Sequence, residues 1–307
     1  MNAIDSDMDT APDQNKQSGR DAGGYRGRFA PSPTGPLHFG SLLAAVGSYL
    51  QARANKGRWM VRIEDIDPPR EVPGAAAGQI ETLERFGMVS DEPVVYQSQS
   101  AWLHARALEN LRTAGLAFDC GCSRRDLPAS GIYPGTCRNE LAPGKSARSV
   151  RFRIPDQPLA VEDQVFGRSS HCLAGVCGDF VIRRADGLIA YQLAVVVDDI
   201  ESCITEVVRG RDLLDSSPRQ QALFEALGAP VPQWMHLPLA VDSSGNKLSK
   251  TTRADPVDTA PAARTLALVL QALGHRPPPG ARSLESLWTW AITNWDPRRI
   301  PREPFEL

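Results

Sequence analysis

The sequence predicts an α/β fold that has a parallel sheet, a cysteine-bearing insertion and a short helical C-terminal region. Residues 25–65 have the pattern of a strand, a helix and a second strand, which is a βαβ unit. A second strand–helix–strand pattern spans residues 180–208. Between the two, residues 118–154 are poor in apolar residues and rich in turn formers. A Rossmann-type sheet interrupted by an insertion fits these patterns, and such a sheet binds ligands at the carboxyl ends of its strands.

Composition and charge narrow the class of protein. Of the 307 residues, 42% are hydrophobic and 23% charged, and no apolar run approaches the ~18 residues that a membrane span requires. A net charge of −2 argues against indiscriminate nucleic-acid binding but is compatible with a local basic patch. Residues 1–24 are polar and lack the basic-then-apolar order of a signal peptide. We therefore predict a disordered tail on a cytoplasmic protein that does not associate with membranes.

The first half of the sheet domain, residues 25–117, begins with the short strand GRFA and a proline-rich loop. Apolar residues then recur at helical spacing until Gly57 ends the pattern. They are Leu42, Leu43, Val46, Tyr49 and Leu50. The segment WMVRIED (59–65) predicts the second strand, and residues 75–90 and 99–117 predict two further helices.

The insertion, residues 118–178, separates this half from the second half, residues 179–256. Strands are predicted around 180–184 and 204–208, with a helix over 191–197 between them. Another helix is predicted from Pro218, a favourable first-turn residue, to Gly228. The C-terminal region is residues 257–307, and helical patterns cover 261–273 and 283–294 within it.

The loop 28–41, RFAPSPTGPLHFGS, contains three prolines and two glycines. Prolines fix the chain in an extended form, and Gly35 and Gly40 let the backbone approach a ligand closely. The helix that follows offers free N–H groups and the positive end of its dipole, which suit a phosphate or a carboxylate. His38 lies where its ring could hydrogen-bond such an anion. Taken alone, HFG is more simply a rigid turn with a surface histidine.

The whole loop resembles the adenylate-binding motif of class I aminoacyl-tRNA synthetases, in the form used by the glutamyl- and glutaminyl-type enzymes. Its core here is His38-Phe39-Gly40-Ser41, in which Ser41 replaces the usual second histidine. Three further blocks follow in the order that the family requires. They are RIEDIDPPR (62–70), AYQLAVVVDDIESCITEVVRGRDLL (190–214) and NKLSKTT (246–252). Four ordered matches within residues 25–255 are specific, and they imply a Rossmann-type nucleotide-binding catalytic domain.

This resemblance implies activation of an amino acid, in which a carboxylate attacks the α-phosphorus of ATP in line. Such catalysis needs positioning and charge stabilisation rather than covalent help. The implied catalytic residues are His38, Lys247 and Lys250, with Mg²⁺ bridging phosphates of ATP. The implied ATP-binding residues are His38, Gly40, Ser41 and Lys250. Taken alone, KLSK would be an exposed basic turn.

By the same resemblance the amino acid is glutamate, which presents two carboxylates and one ammonium. Arginine suits a carboxylate because its planar fork can bind both oxygens, and an acidic side chain suits the ammonium. The family's glutamate-binding positions are here Arg28, Phe29, Ala30, Pro31, Ser32, Glu64, Tyr191 and Arg209. Without the resemblance, each charged residue would more simply belong to a structural ion pair.

Six cysteines in a chain without a secretory signal are not expected to form disulfides. Three of them lie inside a turn-rich stretch of 18 residues. Three thiolates favour a structural Zn²⁺ ion, which would need a fourth ligand. The resemblance implies one zinc per chain held by Cys120, Cys122, Tyr133 and Cys137. A rival set is His171, Cys172 and Cys177. Thiols without a metal are the third alternative.

Two charge pairs and one cysteine carry smaller expectations. Asp198-Asp199 and Arg298-Arg299 are typical of solvated faces. The alternatives are that the first pair lines the acceptor pocket beside Tyr191 and that the second contacts RNA phosphates. Cys203 lies in an apolar stretch and is predicted to be a core residue.

Only 57 residues follow Lys250, whereas a full glutamyl-tRNA synthetase would continue with a much longer anticodon-binding domain. The chain therefore resembles a truncated branch of the family that activates glutamate without tRNA and attaches it to the queuosine of tRNA(Asp). The partners implied are glutamate, ATP and queuosine-bearing tRNA(Asp), with a monomer as the default for the family. The alternatives are a minimal glutamyl-tRNA synthetase that charges the 3′ end and a non-catalytic paralogue that binds RNA or glutamate.

Overall fold

The structure is a computed structural model that describes residues 24–242, 245 and 256–307. The predicted disordered tail, apart from Gly24, lies outside these residues, and so does the KLSK loop. In the described ranges, no helix is both long enough and apolar enough to cross a membrane.

The first half-sheet confirms the predicted βαβ unit. Strands β1 (Arg26–Phe29) and β2 (Arg58–Ile63) are parallel, and helix α1 (Phe39–Ala54) connects them. Strand β3 (Val95–Tyr96) extends the sheet in parallel beside β2. The predicted apolar face of α1 is buried at Leu42, Leu43, Val46 and Leu50, each at most 1% exposed. Tyr49 is partly buried against the same core.

Two helices follow where they were predicted. They are α2 (Ala75–Arg85) and α3 (Ala101–Thr113). Both end earlier than the pattern indicated, because the chain turns into the left-handed region at Gly87 (φ 77°) and Gly115 (φ 70°).

An antiparallel sheet carries the cysteine-bearing segment. In chain order, the elements of this region are β4 (Ala117–Cys120), β5 (Ser149–Phe152), β6 (Leu159–Asp163), β7 (Gly167–His171), α4 (Leu173–Val176) and β8 (Val181–Arg183). The sheet has the order β4–β5–β8, while β6 and β7 form a separate antiparallel pair.

The second half of the chain has the predicted alternation of strands and helices, but its first strand, β8, pairs with β5 in the antiparallel sheet and not with the parallel strands. Its other elements are α5 (Tyr191–Glu201), β9 (Glu206–Gly210), α6 (Ser217–Ala226), β10 (Gln233–Leu237), β11 (Ala240–Val241), α7 (Ala262–Ala272), α8 (Leu284–Asn294) and β12 (Phe305–Glu306). Strands β9 and β10 are parallel, and β6 pairs in parallel with the other side of β10 at Asp163 and Trp234. The region predicted as an insertion thus contributes two strands, β6 and β7, to the second half-sheet.

The two half-sheets meet at β1 and β9, where the N–H of Thr205 donates to the carbonyl of Arg26 (3.0 Å). Helix α1 packs against β1, β9 and β10. Gly47 allows this close approach, because a Cβ there would lie 2.5 Å from Cδ1 of Leu237 and would force that side chain to shift. Close packing brings the carboxyl ends of β1 and β9 next to the first turn of α1, which is the edge where parallel sheets bind ligands.

The C-terminal helices α7 and α8 share one apolar core with α1 and β2. Hydrogen bonds also join this region to the sheet. The Nε1 of Trp295 donates to Oε1 of Gln51 on α1 (2.6 Å), and Nε2 of Gln51 donates to Glu206 on β9 (3.0 Å).

Two predictions about individual residues were wrong. Cys203 is exposed, because it lies in a tight turn with a φ of 52° between α5 and β9. Asp198 and Asp199 are only 3% exposed, because buried cations face them from β1 and β2. Arg298 and Arg299 are exposed as predicted.

Candidate active site

A cleft of about 510 Å³ opens at the carboxyl ends of β1 and β9, beside the first turn of α1. It brings together all of the predicted glutamate-binding and ATP-binding residues that the structure describes. These are Arg28, Phe29, Ala30, Pro31, Ser32, His38, Gly40, Ser41, Glu64, Tyr191 and Arg209. The roles of these residues in binding glutamate and ATP stay predictions. The predicted catalytic residues Lys247 and Lys250 lie outside the described residues.

The loop between β1 and α1 is held by its neighbours. The buried side chain of Gln79 on α2 donates to the carbonyls of Ser32 (3.1 Å) and Gly35 (2.7 Å). The N–H of Glu64 donates to the carbonyl of Pro31 (2.9 Å). Gly35 has a φ of 133°, so its conformation rather than close contact demands glycine. The loop is therefore a fixed wall of the cleft.

His38 forms the end of the cleft at α1. It is the N-cap residue of the helix, and its Nδ1 accepts the N–H of Ser41 (3.3 Å). The Oγ of Ser41 lies 3.0 Å from Nε2 of the same ring. The residue that replaces the usual second histidine thus contacts the first one, and both lie where the positive end of the α1 dipole faces the cleft.

Arg28 lies at the opposite end and is paired with a carboxylate. Its Nε and Nη2 donate to the two carboxylate oxygens of Asp199, at 3.0 and 3.1 Å. Arg62 binds the same carboxylate at 2.8 Å, and Asp198 accepts from Gln97 at 2.6 Å. Burial opposes ionisation of Asp199, but the two arginines outweigh it and lower the pKa of this carboxyl.

Glu64 is one of two acidic residues that line the cleft, the other being Asp212. Its side chain is 9% exposed, and the nearest cation is Arg62, whose Nη2 lies 3.8 Å from its Oε1. Burial raises the pKa of Glu64 to about 7, and the attraction of Arg62 and Arg28 only partly offsets this rise. A carboxylate with so little compensation can accept an ammonium group from a ligand.

Arg209, on β9, has a different environment from Arg28. Its guanidinium donates to neutral groups only, which are Nε2 of His236 (3.0 Å), Oε1 of Gln220 (2.7 Å), Oγ of Ser217 (2.9 Å) and the carbonyl of Leu213 (3.1 Å). None of the ion pairs among the described residues includes Arg209, although it is only 5% exposed. Burial lowers the pKa of Arg209 from its usual value. The cleft therefore contains a buried cation that is suited to an anionic ligand.

Tyr191 lies between these charges, at the first residue of α5. Burial raises the pKa of its phenol, so it remains a neutral hydroxyl. It can contribute a hydrogen bond to a ligand but no charge.

Two buried residues behind Arg209, Asp163 and His236, were not predicted from the sequence. The Oδ2 of Asp163 lies 2.6 Å from Nδ1 of His236, and the ring is fully buried. Gln79, which fixes the loop, was also missed. The one available signal was a polar residue within an apolar strand, as in WMHLPL, because a buried polar group requires a partner.

The cysteine-bearing segment forms a second site. The Sγ atoms of Cys120, Cys122 and Cys137 all lie within 4.8 Å of one another, and those of Cys122 and Cys137 are 3.7 Å apart. A tetrahedral zinc with Zn–S bonds of about 2.3 Å separates its sulfurs by about 3.8 Å. The three buried thiols fit a zinc ion. Although burial opposes it, the N–H groups of Ala142 and Gly121 lower the pKa of Cys137 to about 7.

Tyr133 completes this cluster. Its hydroxyl lies 3.5 Å from Sγ of Cys120 and accepts the N–H of Cys137 (2.7 Å). Arg151 covers both groups, since its Cζ lies 3.8 Å from the centre of the Tyr133 ring and its Nε donates to Cys120 (3.3 Å). Gly178 supports the loop from behind, where a Cβ would lie 2.2 Å from the Tyr133 carbonyl.

The rival zinc set is not assembled. In the part of the chain that the structure describes, the only group of three or more metal-ligating side chains close together is the one at Cys120, Cys122 and Cys137. His171 instead contacts the Oγ of Ser169 (2.7 Å), and Cys172 is exposed.

Comparison with known proteins agrees with this architecture. The family model for the catalytic domain of class I (E and Q) tRNA synthetases matches residues 25–130 and 136–261, which is more than half of the chain. A protein of Chromobacterium violaceum named glutamyl-Q tRNA(Asp) synthetase is 49% identical over 92% of this chain and 97% of its own length. Relatives with the same name from Aromatoleum aromaticum and Pseudomonas aeruginosa are 50% and 49% identical over 91% of this chain, and cover 91% and 96% of their own lengths.

Solved structures give the same result. The glutamate-tRNA synthetase of Elizabethkingia anophelis superimposes with a TM-score of 0.77 at 28% identity, over 92% of this chain and 68% of that one. A glutamate tRNA ligase of Elizabethkingia meningosepticum, solved with its amino acid, gives a TM-score of 0.75 at 27% identity, and the chain spans 66% of its length. The sequence, the sheet order and the cleft thus agree, and the chain belongs to the family of class I (E and Q) tRNA synthetases.

Proposed function

We propose that the protein activates glutamate with ATP in the absence of tRNA and transfers it to queuosine in the anticodon loop of tRNA(Asp). The observation that carries the proposal is that one cleft contains Arg209, whose guanidinium donates only to neutral groups, and Glu64, a buried carboxylate whose charge Arg62 offsets only in part. Glutamate has the complementary charges.

At the amino-acid end, Glu64 receives the ammonium and Arg209 a carboxylate. Arg28 retains a free edge of its guanidinium toward the cleft, while Asp199 holds the other edge by two hydrogen bonds. Phe29, Ala30, Pro31 and Ser32 form the wall that Gln79 fixes. Tyr191 adds a neutral hydroxyl. The charges of glutamate are then matched without any rearrangement of the loop.

At the ATP end, the nucleotide phosphates lie against His38, Gly40 and Ser41, at the positive end of the α1 dipole. Lys250, assisted by Lys247, balances the charge of the departing pyrophosphate. Mg²⁺ that accompanies ATP would supply positive charge that offsets the charge of the phosphates. The carboxylate of glutamate then attacks the α-phosphorus in line, and positioning and charge rather than a covalent intermediate supply the catalysis.

The acceptor is proposed from the relatives, since three proteins about half identical to this chain over most of their lengths carry the name glutamyl-Q tRNA(Asp) synthetase. The cyclopentenediol of queuosine supplies a hydroxyl that attacks the glutamyl-adenylate, which gives an ester and AMP. A cytoplasmic monomer stays our prediction for the state in which the protein works.

For the cysteine cluster we propose one structural zinc ion, with Cys120, Cys122 and Cys137 as thiolate ligands and Tyr133 as the fourth. Arg151 then offsets the negative charge of the ligand set, because it lies over the phenol and against one sulfur.

Glutamate-dependent ATP–pyrophosphate exchange without tRNA tests activation, and transfer of labelled glutamate to tRNA(Asp) with and without queuosine tests the acceptor. We expect exchange without tRNA and transfer only to the queuosine-bearing tRNA. His38→Asn should abolish exchange, whereas the matched variant His171→Asn should not, because His171 is not among the residues that line the cleft.

The outcomes separate the alternatives. Absence of exchange both without tRNA and with tRNA(Glu) would exclude both enzyme functions and leave a binding paralogue. Exchange only with tRNA(Glu) would favour a minimal glutamyl-tRNA synthetase that charges the 3′ end. Transfer that does not depend on queuosine would remove the proposed acceptor.

A further inference from the structure

Two of the three arginines that line the cleft, Arg28 and Arg209, are held in place by different means. Arg28 is held by an ionised partner, Asp199, which also cancels its charge. Arg209 is held by neutral acceptors, so its charge is preserved for a ligand. One of these acceptors, His236, is a titratable ring, and its protonation state decides whether Arg209 keeps its orientation.

The hydrogen bonds fix the tautomer of His236. The Nε of Arg209 can only donate, so Nε2 of His236, 3.0 Å away, must be an unprotonated acceptor. The proton of the neutral ring is then on Nδ1, where it is donated to Oδ2 of Asp163 at 2.6 Å. The same oxygen accepts the backbone N–H of His236 (3.0 Å). Burial of the ring lowers the pKa of His236, in agreement with a neutral imidazole.

Asp163 is fixed in turn. Its other oxygen, Oδ1, accepts the N–H groups of Val165 (2.9 Å) and Phe166 (2.8 Å), in the turn between β6 and β7. The residue lies at the end of β6, where this strand pairs with Trp234 of β10. A strand from the region between the half-sheets therefore orients a ring on β10, and that ring orients a cation on β9.

We propose that Asp163 and His236 are positioning residues for Arg209, which hold its guanidinium toward the cleft while leaving its charge for a carboxylate of the substrate. This inference rests on the proposed function, because it deepens the recognition of glutamate. A carboxylate in direct contact with Arg209 would hold it as well but would compete with the substrate. The neutral His236 ring, which lies between Asp163 and Arg209, avoids this competition.

Two amide substitutions at His236 distinguish the hydrogen bond of the ring to Arg209 from its hydrogen bond to Asp163. In His236→Gln, the side-chain oxygen can take the position of Nε2 and accept from Arg209. In His236→Asn, the shorter amide can take the position of Nδ1 and donate to Asp163, but nothing replaces the acceptor for Arg209. Both variants remove the ring, so a purely structural role predicts similar losses.

We measure KM and kcat for glutamate in ATP–pyrophosphate exchange. The expected result for His236→Asn is a KM raised about tenfold to a hundredfold with kcat within about threefold of wild type. His236→Gln should stay within about threefold in both. Asp163→Asn should behave like His236→Asn, because an amide N–H facing Nδ1 would drive the proton to Nε2, where it opposes Arg209.

The ring itself provides an independent measurement. The chain has five histidines, so ¹⁵N spectra of histidine-labelled protein can be assigned by comparison with His236→Gln. We expect the neutral tautomer protonated at Nδ1. A ring that is protonated at Nε2 or doubly protonated would overturn the inference, as would equal KM values in the two amide variants. If the wild-type protein shows no exchange at all, the proposed function falls first, and this inference falls with it.

Discussion

The catalytic cleft and the cysteine cluster are organised in opposite ways. The cleft lies on two half-sheets over a large apolar core, and its charged side chains are oriented by other protein groups. The cluster has a core of only four buried residues, Cys120, Cys122, Tyr133 and Cys137. Other protein groups therefore orient the side chains of the cleft, whereas a zinc ion is the proposed stabiliser of the cysteine-bearing loop. Changes in the cleft should alter chemistry, and changes in the cluster should alter structure.

The largest effect is expected for Cys137→Ala. Loss of one thiolate should abolish stoichiometric zinc binding, because three ligands cannot close a structural site. Metal analysis of the purified protein measures this, and limited proteolysis within 122–147 should become faster. Cys203→Ala is the matched control, since this exposed cysteine lies outside the cluster. Full retention of zinc in Cys137→Ala would contradict the assignment.

Glu64→Gln should affect the cleft without disturbing the cluster. We expect kcat/KM for glutamate to fall about a hundredfold, because an amide cannot pair with the ammonium. The zinc content should stay at the wild-type value. An unchanged KM for glutamate would exclude Glu64 as the ammonium partner.

The same variant should be more stable than wild type at pH 8. The pKa of Glu64 is raised to about 7 from 4.5 in the unfolded chain, so its contribution to stability is full below pH 4.5 and is lost as the pH rises to about 7. The neutral amide avoids this loss. We expect a Tm higher by a few degrees at pH 8, with the difference shrinking toward pH 5. Thermal unfolding at both pH values measures it.

Arg151→Met tests the cation that lies against the cysteine cluster. We expect zinc affinity to fall about tenfold to a hundredfold, because the charge that offsets the thiolates is lost. Competition with a chelator measures the affinity, and glutamate-dependent exchange should change much less. Arg124→Met provides a control, since Arg124 is exposed and its side chain makes no described contact with the thiols. Equal affinities of the two variants would argue against the role of Arg151.

The smallest expected effect is the pH dependence of the KM for glutamate. Below about pH 7, Glu64 is mostly neutral in the free protein and cannot attract the ammonium. The KM for glutamate in exchange should therefore fall by about tenfold between pH 6 and pH 8. In Glu64→Gln this dependence should be flat. A wild-type KM that does not change over this range would place the pKa of Glu64 elsewhere.

Residues that are close in the sequence were predicted well. The loop 28–41 and the thiols between Cys120 and Cys137 were found because each motif lies within 18 residues. The contact between Asp163 and His236 joins residues 73 positions apart, and only the pairing of β6 with β10 creates it.

The charge pattern at Asp198-Asp199 was misleading because its partners are distant in the sequence. Asp198-Asp199 is typical of a solvated face, but cations from β1 and β2 bury it. Cys203 was misplaced because a hydrophobic pattern does not reveal a left-handed residue in a tight turn. In both cases a contact or a backbone conformation that no local pattern encodes decided the environment.

The hydrogen bonds from Trp295 through Gln51 to Glu206 have a consequence for cooperativity. They connect the C-terminal region, helix α1 and the second half-sheet through the side-chain amide of Gln51. The oxygen of this amide accepts one hydrogen bond, and its nitrogen donates the other. Partial detachment of the C-terminal helices would leave that buried amide oxygen without its donor. The backbone amides of α1 should therefore exchange with solvent only through global unfolding, as one cooperative unit with the half-sheets and the C-terminal helices.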